Sequence, residues 1–218
     1  MKRQLRQSAL LRFYHQYLSS ADAARYVMDV TGTYQVAGLE RLYEYGSRNL
    51  RRAAILALGM IGDYPTRNVL SRALHDTDRA VRMLAEDALP DIWARAGNAH
   101  QQHQLAQLTA YNSGGGYMDA LRLAENMLRV APEYAECWYQ LGIAQFGLNR
   151  TRPAFEAFSQ AFHGNATQFR AASSLGYCAL RLDEPQAALG YFQAALGIHP
   201  GLEHVRLCIA RLEKSLKY

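Results

Sequence analysis

Residues 101–202 divide into three consecutive blocks of equal length, 101–134, 135–168 and 169–202, with no insertion or deletion between them. The second and third blocks carry the same residue types at the same places: Leu141 and Leu175, Gly142 and Gly176, Ala154 and Ala188, Phe158 and Phe192, Ala161 and Ala195. A 34-residue repeat is typical of a hairpin of two α-helices, which cannot bury its apolar face alone and must stack on its neighbours. The period therefore predicts a helical repeat array in this part of the chain.

A second repeat, with a 31-residue period, precedes the first one. Leu39 returns as Leu70, and Arg48 returns as Arg79. Each copy predicts a short helix, a turn and a longer helix. A stripe of small residues in the longer helices would let them approach closely; it consists of Ala54, Ala57, Ala85 and Ala88. Residues 2–18 predict an N-terminal amphipathic helix, and Ser20 is the predicted cap of the helix that follows.

Both arrays resemble known repeat families. The pattern Asp-x-x-Val-Arg-x-x-Ala-x-x-Ala-Leu, typical of short HEAT-like repeats such as those of bilin-lyase-type proteins, is matched at Asp78, Val81, Arg82, Ala85, Ala88 and Leu89. The 34-residue blocks resemble the tetratricopeptide repeat (TPR). Its signature places hold Trp138, Leu141, Gly142, Ala154, Phe158 and Ala161, then Leu175, Gly176, Ala188, Phe192, Ala195 and Pro200, and more weakly Tyr111, Ala120 and Pro132.

Together these resemblances imply an all-α fold, a right-handed α-solenoid of helical hairpins. The predicted domains are a HEAT-like region with an N-terminal cap over 1–97 and a TPR array over 98–218. The array would comprise three units and a capping helix, at 101–134, 135–168, 169–202 and 203–217. The helical glycines Gly142 and Gly176 are predicted to admit the second helix of their hairpin at Ala154 or Ala188, because a glycine inside a helix otherwise costs roughly 1 kcal/mol.

The TPR resemblance also implies a binding surface, since the first helix of each hairpin lines the concave side of such arrays. By position, the predicted partner-binding residues are Tyr139, Ile143, Phe146, Arg170, Ser173, Tyr177 and Arg181. These residues differ from the Lys and Asn clamp with which many TPR grooves hold the acidic C-termini of chaperones. An aromatic groove edged by arginine suits a peptide with apolar anchors. The alternative is that Tyr139 and Tyr177 only cover the core.

Several arginines stand at the starts of the longer N-terminal helices, where the helix dipole disfavours cations. They are Arg48, Arg51, Arg52, Arg79 and Arg82. The HEAT-like resemblance suggests ion pairs between neighbouring repeats, with Asp76 and Asp78 as partners. The alternative is a candidate anion-binding stripe that contacts phosphate groups.

Composition narrows the functional classes. The net charge is +5, with 14 basic and 10 acidic residues in 1–98 but 10 and 9 in 99–218, which permits a nucleic-acid partner without requiring one. No stretch approaches the roughly 18 apolar residues of a membrane span, and no apolar secretory signal follows the basic N-terminus, so a cytoplasmic location is expected. We find no catalytic, metal-binding or cofactor motif: Gly114–Gly116 lacks the Lys-Ser/Thr of a phosphate loop.

The leading hypothesis is therefore a non-enzymatic adaptor or scaffold that binds a protein or peptide in the solenoid groove. One alternative is nucleic-acid binding through the basic N-terminal half. A further alternative, from HEAT-like resemblance alone, is a bilin-lyase-like accessory factor.

Overall fold

The computed structural model describes residues 2–216, with side chains described from Ala9 onward. Thirteen α-helices and one short 3-10 helix, Tyr64–Thr66, occur in this range, and no strand does. The α-helices are α1 Lys2–Ser20, α2 Ala23–Thr31, α3 Val36–Tyr45, α4 Arg48–Ile61, α5 Arg67–Ala73, α6 Arg79–Ala94, α7 Ala99–Ser113, α8 Tyr117–Val130, α9 Ala135–Gly147, α10 Thr151–Gly164, α11 Phe169–Arg181, α12 Pro185–Ile198 and α13 Glu203–Ser215. The chain divides into two compact units, Met1–Trp93 and Ala94–Tyr218.

The first unit is built around α4, which packs against α1, α2, α3 and α5. One residue of the predicted small-residue stripe, Ala88 of α6, makes a close contact with Gly59 of α4, which was not part of that stripe. A Cβ atom added at Gly59 of α4 would lie 2.6 Å from the Cβ of Ala88 in α6, so only a residue without a side chain fits at that position. The prediction that Ser20 caps α2 is wrong. Asp22 does so, because its Oδ1 accepts a hydrogen bond from the Arg25 amide at 2.9 Å.

The second unit is a stack of three helical hairpins, α7–α8, α9–α10 and α11–α12, in which each helix packs against the next along the chain, and α13 packs on α12. The helices recur with the period of the sequence. The second helices begin at Tyr117, Thr151 and Pro185, and α9, α11 and α13 begin at Ala135, Phe169 and Glu203, so both series advance by the step that separates the sequence blocks. The capping helix α13 thus begins where the first helix of a fourth repeat would begin.

The turn inside each hairpin has the same backbone conformation. Gly115, Asn149 and Asp183, which follow one another at 34-residue intervals, have φ angles of 77°, 59° and 60°. This left-handed region suits glycine, asparagine and aspartate better than other residues. The glycine run at residues 114–116 is therefore an inter-helix turn, as its position between two helices predicted.

The two helical glycines of the repeat have a packing role, but with a partner that differs from the prediction. A Cβ added at Gly142 would lie 2.5 Å from the ring of Phe158, and one at Gly176 would lie 2.5 Å from the ring of Phe192. The glycines thus accommodate aromatic rings of the second helix, rather than admitting the helix at the alanine one turn earlier. Each phenylalanine ring thus packs against the first helix of its own hairpin.

Candidate functional site

A cavity of about 300 Å³ opens on the surface formed by α9 and α11, which we call the α9–α11 groove. Four helices supply its walls. The lining residues are Tyr117, Ile143, Phe146, Gly147, Phe158, Ser174 and Tyr177. Four of them are aromatic, and together they surround a space large enough for one bulky apolar side chain. Concave sites of this kind, mostly apolar with a few polar groups, are where proteins bind small ligands and anchor residues.

Helical spacing brings these side chains together. Phe146 and Gly147 follow Ile143 by three and four residues, as neighbours on one face of α9 do, and Ser174 and Tyr177 are three residues apart on α11. Gly147 lies against Tyr117: a Cβ at residue 147 would lie 2.6 Å from that ring. The absence of a side chain there lets the ring of α8 reach the cavity wall.

Two guanidinium groups edge the groove, and each lies over an aromatic ring of α9. The Cζ atom of Arg170 is 4.5 Å from the ring centroid of Tyr139, and that of Arg181 is 4.4 Å from the centroid of Phe146. Arg181 also donates a hydrogen bond from Nη2 to Asn149 Oδ1 at 2.7 Å. Stacking on a ring face holds a guanidinium by cation–π attraction while its N–H edge stays available for other acceptors.

Beside this groove runs a line of hydrogen-bonded polar side chains that links three successive first helices. Asn112 of α7 donates to Gln140 Oε1 at 2.9 Å, and Gln140 donates to Glu136 Oε1 at 3.3 Å. Gln168, the residue directly before α11, donates to Glu136 Oε2 at 2.6 Å. Glu136 is only 4 % exposed, and burial raises its pKa to about 7, against the opposing effects of nearby Arg170 and the two amides.

Burial also raises the pKa of two other groups near the groove. It raises the pKa of the Cys178 thiol to about 11 and that of the Tyr177 hydroxyl to about 12. The Tyr177 hydroxyl lies 3.8 Å from the sulfur of Cys208. At neutral pH this tyrosine therefore presents an uncharged ring and hydroxyl to the cavity, which suits an apolar ligand group.

The residues predicted for partner binding lie in different surroundings. Ile143, Phe146 and Tyr177 line the cavity. Tyr139 is 7 % exposed and packs on Phe158 with ring centroids 5.6 Å apart, so most of its ring is core. Ser173 is buried, and its hydroxyl donates to the Phe169 carbonyl at 2.9 Å. Partner binding by the set as a whole stays a prediction.

Four cavity residues, Tyr117, Gly147, Phe158 and Ser174, were not among the predicted binding residues, which were taken only from first helices. Ser174 lies one residue after the predicted Ser173 and faces the cavity in its place. Tyr117 belongs to a second helix, α8, in the block that matches the repeat pattern least well. A bulky aromatic residue directly after the inter-helix turn was the available signal. Thr151 and Pro185 occupy that position in the other two blocks.

In the first unit, three of the five candidate anion-binding arginines form ion pairs with the aspartates named from the sequence. Arg48 and Arg52 both contact Asp78, the latter at 2.7 Å, and Arg51 contacts Asp76 at 2.9 Å. The Asp78 side chain is 2 % exposed, and the hydrogen bond from Arg52 is the main cause of a pKa well below its usual range.

The remaining two arginines of that set differ from each other. Arg82 donates to the carbonyl of Asp76 at 2.8 Å, whereas Arg79 is exposed at the start of α6. Asp78 also caps α6, since its Oδ1 accepts from the Val81 amide at 3.1 Å. The predicted inter-repeat ion pairs are thus present, and anion binding by these arginines stays a prediction.

Two classes of site are not found among the described residues. In the part of the chain that the structure describes, no helix has the length and hydropathy needed to cross a bilayer. Over the same residues, no group of three or more His, Cys, Asp or Glu side chains is placed to hold a metal ion.

Known proteins were compared with this chain by sequence and by structure. No protein-family model matches the chain. Two Arabidopsis thaliana proteins, the 26S proteasome non-ATPase regulatory subunit 2 homologs A and B, are 38 % identical to it over 81 residues. That match covers 35 % of this chain and 9 % of each relative, so the chain spans less than a tenth of their length.

Solved structures are similar over more of the chain. A crystal structure of MamA, a TPR protein, covers 65 % of this chain and 86 % of its own, with a TM-score of 0.52 and 19 % identity. A second MamA crystal structure covers 68 % and 81 %, with a TM-score of 0.50 and 18 % identity. These similarities, with hairpins that recur at the period of the sequence blocks, confirm that the chain has the all-α solenoid fold of tetratricopeptide-repeat proteins.

Proposed function

We propose that this protein is a non-enzymatic adaptor that binds a segment of a protein partner in the α9–α11 groove. The cavity lined by Ile143, Phe146, Ser174 and Tyr177 is the observation on which this proposal depends. It is large enough for one aromatic or branched aliphatic side chain. Filling it would remove apolar surface from water at about 25 cal/mol per Å², which makes such an anchor a strong contributor to affinity.

The rest of the second unit supports a binding role for this surface. The hydrogen bond from Gln168 to Glu136 links the start of α11 to α9, and the glycine–aromatic contacts hold each of these helices against the second helix of its hairpin. A groove that is already formed loses little conformational entropy when a ligand binds. The fold resembles other TPR proteins, and a role without catalysis and a cytoplasmic location remain parts of this proposal.

The nucleic-acid alternative has no specific observation in its favour. Binding of a phosphate backbone through Arg51 and Arg52 would require these two arginines to leave their aspartate partners. Exchange of these ion pairs for exposed phosphate contacts would gain little free energy, because the negative charges of the aspartates would lose their positive partners. We therefore retain peptide binding as the single proposed function.

A substitution that fills the cavity tests this proposal. A library of displayed peptides is selected on the full-length protein, and the enriched peptides are measured against Ser174→Phe by fluorescence anisotropy. We expect Ser174→Phe to reduce binding at least tenfold, because the new ring occupies the anchor site. Ser159→Phe, at an exposed position of α10, is the matched control and should bind as the wild type does. Equal binding by both variants would refute the groove assignment.

A further inference from the structure

We propose that the segment bound in the α9–α11 groove is acidic on both sides of its apolar anchor, with one carboxylate for Arg170 and one for Arg181. This inference rests on the proposed function, because it concerns the ligand of the same cavity. It names a ligand class: an internal, extended segment of the form acidic–x–apolar–x–acidic.

The register of α11 places the cavity between the two arginines. Arg170, Ser174, Tyr177 and Arg181 are separated by four, three and four residues, so they share one face of the helix. At a rise of 1.5 Å per residue, the Cα atoms of the two arginines lie about 16 Å apart along the axis, and each lies about 6 Å from the nearer cavity residue. A ligand that fills the cavity therefore has a guanidinium on either side.

Both guanidinium groups are held in place without a carboxylate partner. Their positions are fixed by stacking on Tyr139 and Phe146. Among the residues that the structure describes, neither arginine lies within 4.0 Å of an acidic oxygen. By contrast, Arg51 and Arg52 each pair with an aspartate. Guanidinium groups held on ring faces present their N–H donors in the flat geometry that carboxylates accept.

Arg170 stabilises the ionised form of nearby Glu136, but the two form no ion pair among the described residues. Glu136 is buried, and both of its oxygens accept hydrogen bonds, from Gln140 and Gln168. Neighbouring Asn112 adds no charge, and the hydroxyl of Ser174 and the ring of Tyr177 are neutral. The groove therefore presents positive charge at its edge, although the unit as a whole carries nearly equal numbers of basic and acidic residues. An acidic ligand complements that charge distribution.

The spacing follows from chain geometry. In an extended segment, residues i−2, i and i+2 point to the same side, and the outer two lie about 13 Å apart. Glutamate side chains supply the remaining reach to two guanidinium groups whose Cα atoms are about 16 Å apart. An apolar residue at i with acidic residues at i−2 and i+2 thus matches the order arginine, cavity, arginine along α11.

Synthetic peptides test the inference directly. The probe is a labelled Gly-Glu-Ser-Phe-Ser-Glu-Gly peptide with an acetyl and an amide cap, titrated against the full-length protein by fluorescence anisotropy. Comparison peptides replace both Glu by Gln, move both Glu next to each other, or end in a free carboxylate directly after Phe. We expect the probe to bind about tenfold more tightly than the Gln peptide at low ionic strength, and the difference to shrink in high salt.

Protein variants separate this inference from the proposed function. Arg170→Gln and Arg181→Gln should each reduce the preference for acidic peptide about threefold and leave the affinity for the Gln peptide unchanged, whereas Arg129→Gln on α8 should change neither. Equal affinity for acidic and Gln peptides, both lost in Ser174→Phe, would overturn the acidic specificity but retain the groove. Tighter binding of the free-carboxylate peptide would overturn the internal-segment form. Binding unaffected by Ser174→Phe would overturn the groove itself.

Discussion

The two units place arginine in contrasting environments. In the first unit, Arg51 and Arg52 donate to buried aspartates, and their charge is balanced inside the fold. In the second unit, Arg170 and Arg181 lie over aromatic rings at the edge of a cavity, with no acidic oxygen in ion-pair range in the described chain. The same residue type thus joins neighbouring repeats in one unit and remains available to an outside partner in the other.

The acidic partners differ in the same way. Asp78 is buried but ionised, because two guanidinium groups and the Val81 amide stabilise its charge. Glu136 is buried among amides, which donate hydrogen bonds but carry no charge, and its pKa rises to about 7. The charge of Asp78 is therefore paired within the first unit, whereas Arg170 and Arg181 form no ion pair among the described residues of the second. The difference matters because positive charge that is not cancelled locally can select a ligand of opposite charge.

The largest predicted effect concerns Asp78. Asp78→Ala removes a helix cap and the partner of two arginines, so it should lower the free energy of unfolding by about 2–4 kcal/mol. Unfolding in urea can be followed by ¹⁹F NMR after incorporation of 5-fluorotryptophan, because Trp93 belongs to the first unit and Trp138 to the second. The Trp93 signal should report the loss.

The exposed Asp87 of α6 supplies the control, and Asp87→Ala should leave the Trp93 transition unchanged. The pH dependence gives a second check. Since folding lowers the pKa of Asp78, its contribution to stability is present above the ordinary aspartate value near 4 and is lost as the pH falls below that value. The difference between wild type and Asp78→Ala should shrink in acid. A difference independent of pH would contradict the ion-pair account.

Substitution of Glu136 is predicted to have an effect of intermediate size on stability, and to raise stability where substitution of Asp78 lowers it. Folding raises its pKa from about 4.5 to about 7, so the wild type should lose stability as the pH rises through that interval. Glu136→Gln keeps an oxygen that can accept from Gln168 but carries no charge. We expect it to be more stable than the wild type by on the order of 2 kcal/mol at pH 8.5, and the gain to disappear near pH 4.5.

Urea unfolding monitored at Trp138 across this pH range measures the effect. Glu156→Gln, at an exposed position of α10, is the matched control and should show no pH-dependent difference. A gain of stability that is the same at pH 4.5 and pH 8.5 would mean that Glu136 is not destabilised by ionisation, and the contrast with Asp78 would fail.

Much of this fold is predictable from the sequence because a repeat period fixes where each helix begins and ends. The 34-residue interval recurs in the helix starts and in the left-handed turn residues Gly115, Asn149 and Asp183. The helix dipole indicated that the arginines need a negative partner, and the HEAT-like resemblance suggested that Asp76 and Asp78 supply it.

The groove was less predictable because a period does not specify which side chains meet across helices. Position in the repeat indicated Ser173, but its neighbour Ser174 lines the cavity, and the Ser173 hydroxyl bonds to the backbone of its own helix. Tyr117 joins the site from a second helix because Gly147 leaves room for its ring. Buried Glu136 accepts hydrogen bonds from Gln140 of its own helix and from Gln168, which precedes α11, and the 34-residue period does not indicate this combination.

The smallest predicted effect on stability distinguishes a binding residue from a structural one. Arg170→Gln and Arg181→Gln each remove a cation–π contact at a partly exposed edge, which is worth about 0.5–1 kcal/mol. If these arginines serve a ligand, the Trp138 unfolding transition should therefore shift by less than about 1 kcal/mol, while the preference for acidic peptides falls severalfold. If they serve the fold as Arg51 and Arg52 do, stability should fall as far as in Asp78→Ala. A structural ion pair changes stability, whereas a ligand contact changes affinity. The ratio of lost affinity to lost stability in each variant therefore shows whether Arg170 and Arg181 bind a ligand or stabilise the fold.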